Sequence, residues 1–492
     1  MKEEIINYLS KMHDAQTLIQ INDALNLHSA IELKDLQKTL DALIEENKVY
    51  KTKKEKYLLL ENCEYLKCGK LSINKAGNGF LLLDGDDLYI DYKNLNDAVN
   101  GDEVLAELIK YKGKTEGRVI KILKRNTKNI IGEYSIRKNK PILILDDEKC
   151  KLLIDLDPNT TKDCVLGTKV LVNLEKELAP NHYIGKVVKI IGHKDDPGVD
   201  IKTIAYKYGI FEEFSKESDK QTEELPIMVE EKELAGRKDL TNEVIFTIDG
   251  DDTKDIDDAV SISAENNLYT LGVHIADVSH YVTKDSPLDK DAFTRGTSSY
   301  LAYSVIPMLP HKLSNGICSL NEGVVRLTIS CVMQINAKGD VVNYDIFPSY
   351  IKSCKKMTYK KVNDILMRDT YDEEYAPYVS RLKLMNELAH ILRKNKERRG
   401  YIDFSIEEPK IICDKNGKCI DVVTYDREDG EKLIEDFMIA ANETVASHLY
   451  NMDLPSIYRV HGTPKAEKID SFINLVSLSG YKLTGNFKNF TP

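Results

Sequence analysis

No stretch of this chain is apolar over the roughly 20 residues that a membrane-crossing helix needs, and no two of its cysteines stand in a C-x-x-C motif. The first absence argues against a membrane role. The second argues against a zinc knuckle, and the odd count of nine cysteines, scattered at 63, 68, 150, 164, 318, 331, 354, 413 and 419, argues against a disulfide framework. Reduced, mostly buried thiols are expected. An export signal is missing too, because MKEEIINYLSKMHD carries acids and lacks both a continuous apolar core and a small-residue cleavage site. Cytoplasm is the expected compartment. Net positive charge is also lacking: at a formal −11 the whole surface cannot attract nucleic acid, so any such contact must rest on local basic stretches.

What is present suits a soluble globular protein, with 42% hydrophobic and 30% charged residues over 492 positions, long enough for three or four domains. The segment SAIELKDLQKTLDALIEENKVY predicts an amphipathic helix with Ile31, Leu36, Leu40, Leu43 and Ile44 on one face and a Ser29/Glu32 capping box. The following KVYKTKKEKYLLLE reads as a short basic hairpin. Helices followed by such a hairpin suggest a winged helix-turn-helix over 1–62, an architecture that serves nucleic-acid and protein contacts equally well.

From about 65 to 195 short alternating runs separated by Gly, Asn and Asp predict small β-barrels. An internal echo divides them: GKLS (69–72) and EGRVIKIL (116–123) bracket one unit, GEYS (132–135) and IGKVVKII (184–191) a second. Two tandem OB-type barrels are expected, over 65–127 and 128–210. In the first, NKAGNGFLLLD and DLYIDYKNL are similar to the aromatic strands of a cold-shock domain, with Phe80 and Tyr89 as base-stacking candidates and Asn78 where an aromatic is usual. Stacking on such rings contributes about 1–3 kcal/mol per base; the competing reading is that they only pack the barrel. KGKTEGRVIKILKRNTKN (112–129) adds local positive charge, and a polar, charge-rich connecting segment (211–235) precedes the remainder, 236–492.

That remainder opens on NEVIFTIDGDDTKDIDDAVSIS (242–263), an apolar strand that turns at Gly250 and resumes at Ala259–Ile262. Six aspartates, 249, 251, 252, 255, 257 and 258, fall within ten positions at the turn. So many like charges are costly unless cations neutralise them, and hard oxygen donors suit magnesium or manganese. The strands on both sides argue against a solvated acidic loop. An EF-hand loop fails because it needs Gly at position 6 and Glu at position 12, whereas counting from Asp249 gives Lys254 and Val260, and from Asp251 gives Ile256 and Ile262. Close-set carboxylates of this kind serve two-metal phosphodiester chemistry.

TIDGDDTKDIDDAV resembles the signature of the RNB domain, the catalytic domain of the ribonuclease II and R exoribonucleases. Further motifs follow in family order: LGVHIADVSHYV, RGTSSYLAYSVIPMLPHKLSNGICSLN, RRGYIDFSIEEP, KLIEDFMIAANE and PSIYRVHG. The resemblance covers almost the whole chain, with the ribonuclease R branch nearest. It implies a multidomain α+β protein with an α+β catalytic domain at 236–492. It also implies 3′ to 5′ hydrolysis of single-stranded RNA with a free 3′ end, releasing nucleoside 5′-monophosphates with Mg2+, or Mn2+ in its place. Asp249, Asp255, Asp257 and Asp258 match the metal-holding and catalytic carboxylates, Asp257 being the one whose loss abolishes turnover while sparing binding. Tyr300 matches the tyrosine packed on the 3′-terminal nucleotide, Phe404 the aromatic clamping the last bases, and Tyr359 and Glu435 residues associated with ribose recognition; for both aromatics an ordinary core role is the competing reading. Asp251 and Asp252 match no ligand. A monomer is expected, with the ribosome or an RNA helicase as further partner.

The chain departs from the family's pattern after GYKLTGNFKNFTP, where relatives continue with an S-P-I-R-R-type arginine, a downstream glutamate, a third OB barrel and often a basic tail. On this ground the catalytic domain is expected to be incomplete, with an uncovered apolar face, and the chain weakly active or inactive. The rival function from another class is a non-catalytic RNA-binding regulator that uses the winged helix and barrels without hydrolysis, and a remoter one is a DNA exonuclease.

Overall fold

The computed structural model describes the chain except residues 13, 47, 53, 64, 75, 84, 112, 126–128, 147–149, 151, 180, 403–407, 416, 426, 461 and 484–492. It divides into two compact units, Met1–Gly209 and Ile210–Pro492.

The first unit begins with helices α1 (Lys2–Ser10), α2 (Leu18–Ala24) and α3 (Ala30–Glu45) and an antiparallel hairpin, β1 (Val49–Lys51) and β2 (Tyr57–Leu59). Ile5, Leu9, Ile21, Leu36, Leu40, Leu43 and Tyr57 close one core. The predicted capping box at the start of α3 is present, with Ser29 Oγ accepting from Glu32 N at 3.1 Å and the Glu32 carboxylate accepting from Ser29 N at 2.9 Å. Ser29→Ala is expected to lower stability by about 1 kcal/mol, measurable in a helical-signal melt. Ile31 corrects the helix-face expectation: it is 75% exposed, because five residues before Leu36 it lies about 140° around a helix of 3.6 residues per turn.

Strands β3 (Leu66–Ile73), β4 (Gly79–Leu82), β5 (Leu88–Ile90), β6 (Glu103–Tyr111) and β7 (Lys114–Lys124) form a sheet ordered β5-β4-β3-β6-β7. Strands β8 (Asn129–Arg137), β9 (Lys140–Leu145), β10 (Leu153–Leu156), β11 (Thr168–Ala179) and β12 (His182–His193) close into a barrel, followed by α4 (Val199–Lys207). Leu71, Leu81, Leu88 and Ile90 point into the first of these folds and Leu143, Ile154, Val170 and Val172 into the second, the two-residue periodicity expected of strands with one buried face. The basic stretch at 112–129 is partly neutralised: Arg118 pairs with Glu107 at 2.6 Å, and Arg125 reaches the fully buried Asp102 at 2.8 Å.

The second unit starts with a stretch that is held in place. Within the expected connecting segment 211–235 lies α5 (Lys216–Glu224), and this stretch is tied to α6 (Pro287–Arg295) by Ser215 N donating to Asp291 at 2.8 Å, Leu288 N donating to Gln221 Oε1 at 3.1 Å, and Arg295 donating to the carbonyls of Phe211 and Glu213. Most of its charges face outward while its backbone is held by α6, and Glu233 turns inward to pair with His280 at 2.8 Å. A seven-stranded sheet follows, built from β13 (Lys238–Asp239), β14 (Phe246–Asp249), β15 (Asp258–Glu265), β16 (Leu268–Ala276), and, after the short hairpin β17 (Ser299–Tyr300) and β18 (Val305–Ile306), β19 (Val325–Ile335), β20 (Val341–Lys352) and β21 (Lys355–Thr358). Its order is β13-β20-β19-β16-β15-β14-β21. Helices α7 (Tyr359–Arg368), α8 (Val379–Arg398) and α9 (Asp429–Asn451) contribute to a core with Phe246, Ile248, Leu271, Val273 and Met333, while Ile245, Ile256, Ala259 and Leu320 pack in a second cluster. The hairpin β22 (Glu408–Cys413) and β23 (Cys419–Tyr425) precedes α9, and α10 (Ala466–Leu478) follows it, with Phe472, Leu475 and Leu478 exposed. No helix among the described residues is long and apolar enough to cross a membrane.

Candidate active site

Strand β14 is apolar until its last residue. Phe246, Thr247 and Ile248 are buried, and Asp249 emerges where β14 lies parallel to β21, opposite Thr358. The chain then turns and returns as β15, whose first residue is Asp258, opposite Ile275 of β16. The acidic turn is anchored throughout. Asp249 Oδ1 accepts from Gly250 N at 2.8 Å and from Thr253 Oγ1 at 2.9 Å. Lys356 Nζ donates to the Thr253 carbonyl at 2.5 Å. Ser319 Oγ donates to the Lys254 carbonyl at 2.8 Å and accepts from Ile256 N at 3.1 Å, and Leu320 N donates to the Ile256 carbonyl at 2.9 Å. The Ile256 side chain is a buried plug, and the Asp257 carbonyl accepts from Ala276 N at 2.9 Å. A solvated loop would have none of these ties.

The turn forms one wall of a cavity of about 530 Å³, lined by Asp249, Asp255, Asp257, Asp258 and also by Asp251 and Asp252. Crowding and burial act on the acids. Asp258 is pushed up to about 6, first because burial disfavours its charged form and then by the charges of Asp249 and Asp257. Asp257 opens to the cavity, yet loss of water, followed by the charges of Asp255 and Asp249, raises it above the usual carboxylate range. Tyr300 stands across from them on β17, 71% exposed, its hydroxyl donating to Asp255 Oδ2 at 3.4 Å. Burial, and then the Asp255 charge, raise its phenol above the ordinary value.

Among the described residues, no three or more His, Cys, Asp or Glu side chains are gathered in a geometry that closes around one ion. The acids are brought to one cavity but not drawn together. The donor chemistry nevertheless fits a hard divalent cation, since the donors are carboxylate oxygens and a cation would offset both the burial and the mutual repulsion that raise Asp257 and Asp258.

The other sequence candidates are spread out. Tyr359 opens α7, directly after the residue paired with Asp249, and packs half-buried on the main core. Glu435 on α9 pairs with Arg427 at 3.1 Å and lines a separate small cleft with Arg393, Lys396, Tyr401, Lys432 and Asp436. Phe404 lies outside the described residues. In the first unit Phe80 and Tyr89 are direct partners on β4 and β5, edge to face with ring centres 5.6 Å apart, half-buried and outside the core cluster. Asn78, at the position where a cold-shock domain usually has an aromatic, accepts from Tyr92 N at 3.2 Å and fixes the adjoining turn.

Two polar cavity residues escaped the sequence reading. Thr253 orients Asp249, and its hydroxyl in TIDGDDT was a usable signal. Lys410 of β22 lines the cavity, and no spacing within the aspartate motif points to it.

Residues 237–490 match the RNB domain, more than half of the chain. The chain belongs to the RNB family. Upstream of the RNB region, residues 69–122 match the ribonuclease B OB domain and 142–215 a cold shock domain, so the architecture is multidomain α+β with OB-type domains ahead of the RNB domain. Ribonuclease R 1 of Lactococcus lactis is 39% identical, over 99% of this chain and 62% of the relative. Ribonuclease R of Thermotoga maritima is 39% identical, over 91% of this chain and 64% of the relative. The chain thus spans a little over three fifths of the length of these curated relatives. Among solved structures, Mycoplasma genitalium RNase R in complex with ribose methylated single-stranded RNA matches with a TM-score of 0.79 and 29% identity, over 86% of this chain and 68% of that one.

Proposed function

We propose that this chain is a 3′ to 5′ exoribonuclease that shortens single-stranded RNA by hydrolysis, one nucleoside 5′-monophosphate at a time. The observation that carries this is the convergence of Asp249, Asp255, Asp257, Asp258 and Tyr300 on one cavity within the RNB region. The ribonuclease R relatives, and the RNA bound to one of them, support it.

The four aspartates would hold magnesium, with manganese as the alternative; when bound, such ions lower the pKa of the attacking water and neutralise charge at the phosphate. Water adds to phosphorus as the P–O3′ bond breaks, leaving a 3′-hydroxyl on the shortened strand. In the metal-free site burial, then the charges of Asp249 and Asp257, hold the Asp258 carboxyl at about 6, so below that pH a divalent ion would have to displace its proton to bind. Tyr300, with its ring exposed and its hydroxyl on Asp255, packs on the 3′-terminal nucleotide. Phe404 clamps the last bases, Tyr359 and Glu435 recognise ribose, and Phe80 and Tyr89 stack on bases at the first OB-type domain. The three helices and hairpin of 1–62 share one core, which supports a winged helix-turn-helix. Domain boundaries at 65–127, 128–210, 211–235 and 236–492 complete the reading, for a monomer acting on RNA in the cytoplasm, with the ribosome or an RNA helicase as partner.

The test is a 5′-labelled single-stranded RNA incubated with magnesium and either the chain or its Asp257→Asn variant. Stepwise shortening from the 3′ end that the variant abolishes is expected. Binding by both without shortening would leave an RNA-binding regulator, and shortening of an all-deoxy strand a DNA exonuclease.

A further inference from the structure

We propose that Lys410 is the side chain that holds the scissile phosphate against the aspartates, a role that rests on the exoribonuclease reading above. Among the described residues lining the cavity, Lys410 is the only basic one, facing six aspartates. A phosphodiester anion entering such a cavity is repelled. Even the four positive charges of two divalent ions would leave two of the six carboxylate charges uncompensated, so an ammonium supplies a counter-charge that the acids cannot. Lysine suits the task because a compact point charge on a flexible stem follows a phosphate without demanding one orientation.

The fold holds Lys410 in place through two hairpins in contact. Lys410 pairs with Val423 in β22–β23, whose tip is closed by Lys418 N donating to Asp414 Oδ1 at 3.0 Å. At that tip Gly417 has φ +85°, and a Cβ there would stand 3.2 Å from the ring of Tyr303. Tyr303 belongs to the turn joining β17, which carries Tyr300, to β18, which carries Val305, and both of these line the cavity with Lys410. The absence of a side chain at 417 therefore lets the lysine hairpin sit directly on the tyrosine hairpin.

The experiment compares binding of a short 5′-labelled oligo(A), with calcium in place of magnesium to hold back turnover, to that of the same strand carrying a neutral methylphosphonate at its last linkage. Lys410→Gln is expected to weaken the natural strand about tenfold and the methylphosphonate strand hardly at all, with Lys410→Arg staying within about threefold of the parent. Gly417→Val, which leaves the charge intact, is expected to reproduce the loss by displacing the hairpin. Equal losses of Lys410→Gln on both strands, or no loss on either, overturn the proposal. Single-turnover shortening of the natural strand in magnesium separates the two readings. A parent that shortens RNA beside an unaffected Lys410→Gln variant removes Lys410 alone, whereas a parent that never shortens RNA removes the exoribonuclease reading and this inference with it.

Discussion

Asp258→Asn is expected to lower turnover by about a thousandfold or more while making the metal-free protein more stable. The first effect follows from the metal-holding role proposed for this carboxylate at the cavity wall. The second follows from the price of keeping that carboxylate charged beside Asp249 and Asp257 in a largely water-free position. A carboxyl held at about 6, against 3.8 in the unfolded chain, corresponds to about 3 kcal/mol. The sign is that of a group with a raised folded-state pKa. Its contribution to stability is fully present below pH 3.8 and is lost as pH rises through about 6, so at neutral pH the metal-free fold bears the whole penalty. Asparagine has the same shape without the charge and removes it. Thermal melts at neutral pH in chelator should place the variant above the parent. Added magnesium should raise the melting temperature of the parent and leave that of the variant nearly unmoved. A variant no more stable than the parent in chelator would show that the Asp258 carboxylate does not bear the burial and repulsion that this geometry requires.

Acidification is expected to destabilise the fold through His274. This residue of β16 is 1% exposed, its Nδ1 2.6 Å from Ser330 Oγ and its Nε2 3.1 Å from Ser261 Oγ. Ser330 continues to Ser349 at 2.6 Å, and Ser349 to Thr328 at 2.7 Å, a buried hydroxyl chain across β19 and β20. A Cβ on Gly272 would lie 2.8 Å from the His274 ring and 2.4 Å from Ser261 Oγ, so glycine makes the space for this network. The hydroxyls can serve a neutral ring, but no carboxylate is among these partners to compensate a charged one, and burial lowers the imidazole to about 4. The unfolded chain takes up a proton near pH 6.5 and the folded one only near 4. The stability that this histidine contributes is therefore full above 6.5 and falls away towards 4, by about 3 kcal/mol in total. Asp258 acts with the opposite sign over an overlapping range, so denaturant titrations belong in the Asp258→Asn background. There, a further His274→Gln change should flatten the loss of stability between pH 6.5 and 4; a parallel loss in both proteins would place the acid sensitivity elsewhere.

The sequence by itself determined the features that depend on local order. Strand residues ending in Asp249 and resuming at Asp258 put the acids in one turn, because alternation and a turn glycine leave the chain little else to do. Ser29 and Glu32 capped α3 for the same local reason, and the echo between GKLS and GEYS marked two β-rich units. Ile31 failed because a helix face is an angular property that loose spacing does not settle. The ties of the 211–235 segment to α6 could not be read, because a polar composition is that of a surface whether or not the backbone is held.

Only the tertiary structure decided the rest. Lys410 reaches the aspartate cavity because the bare backbone of Gly417 seats one hairpin on the ring of Tyr303 in another. His274 is neutral because three strands bury it among hydroxyls, and Asp258 rises because burial adds to its neighbours' charge. These are properties of distance and excluded water between residues far apart in the chain. The identity of each residue is written in the sequence, but the field each one feels exists only once the chain has folded.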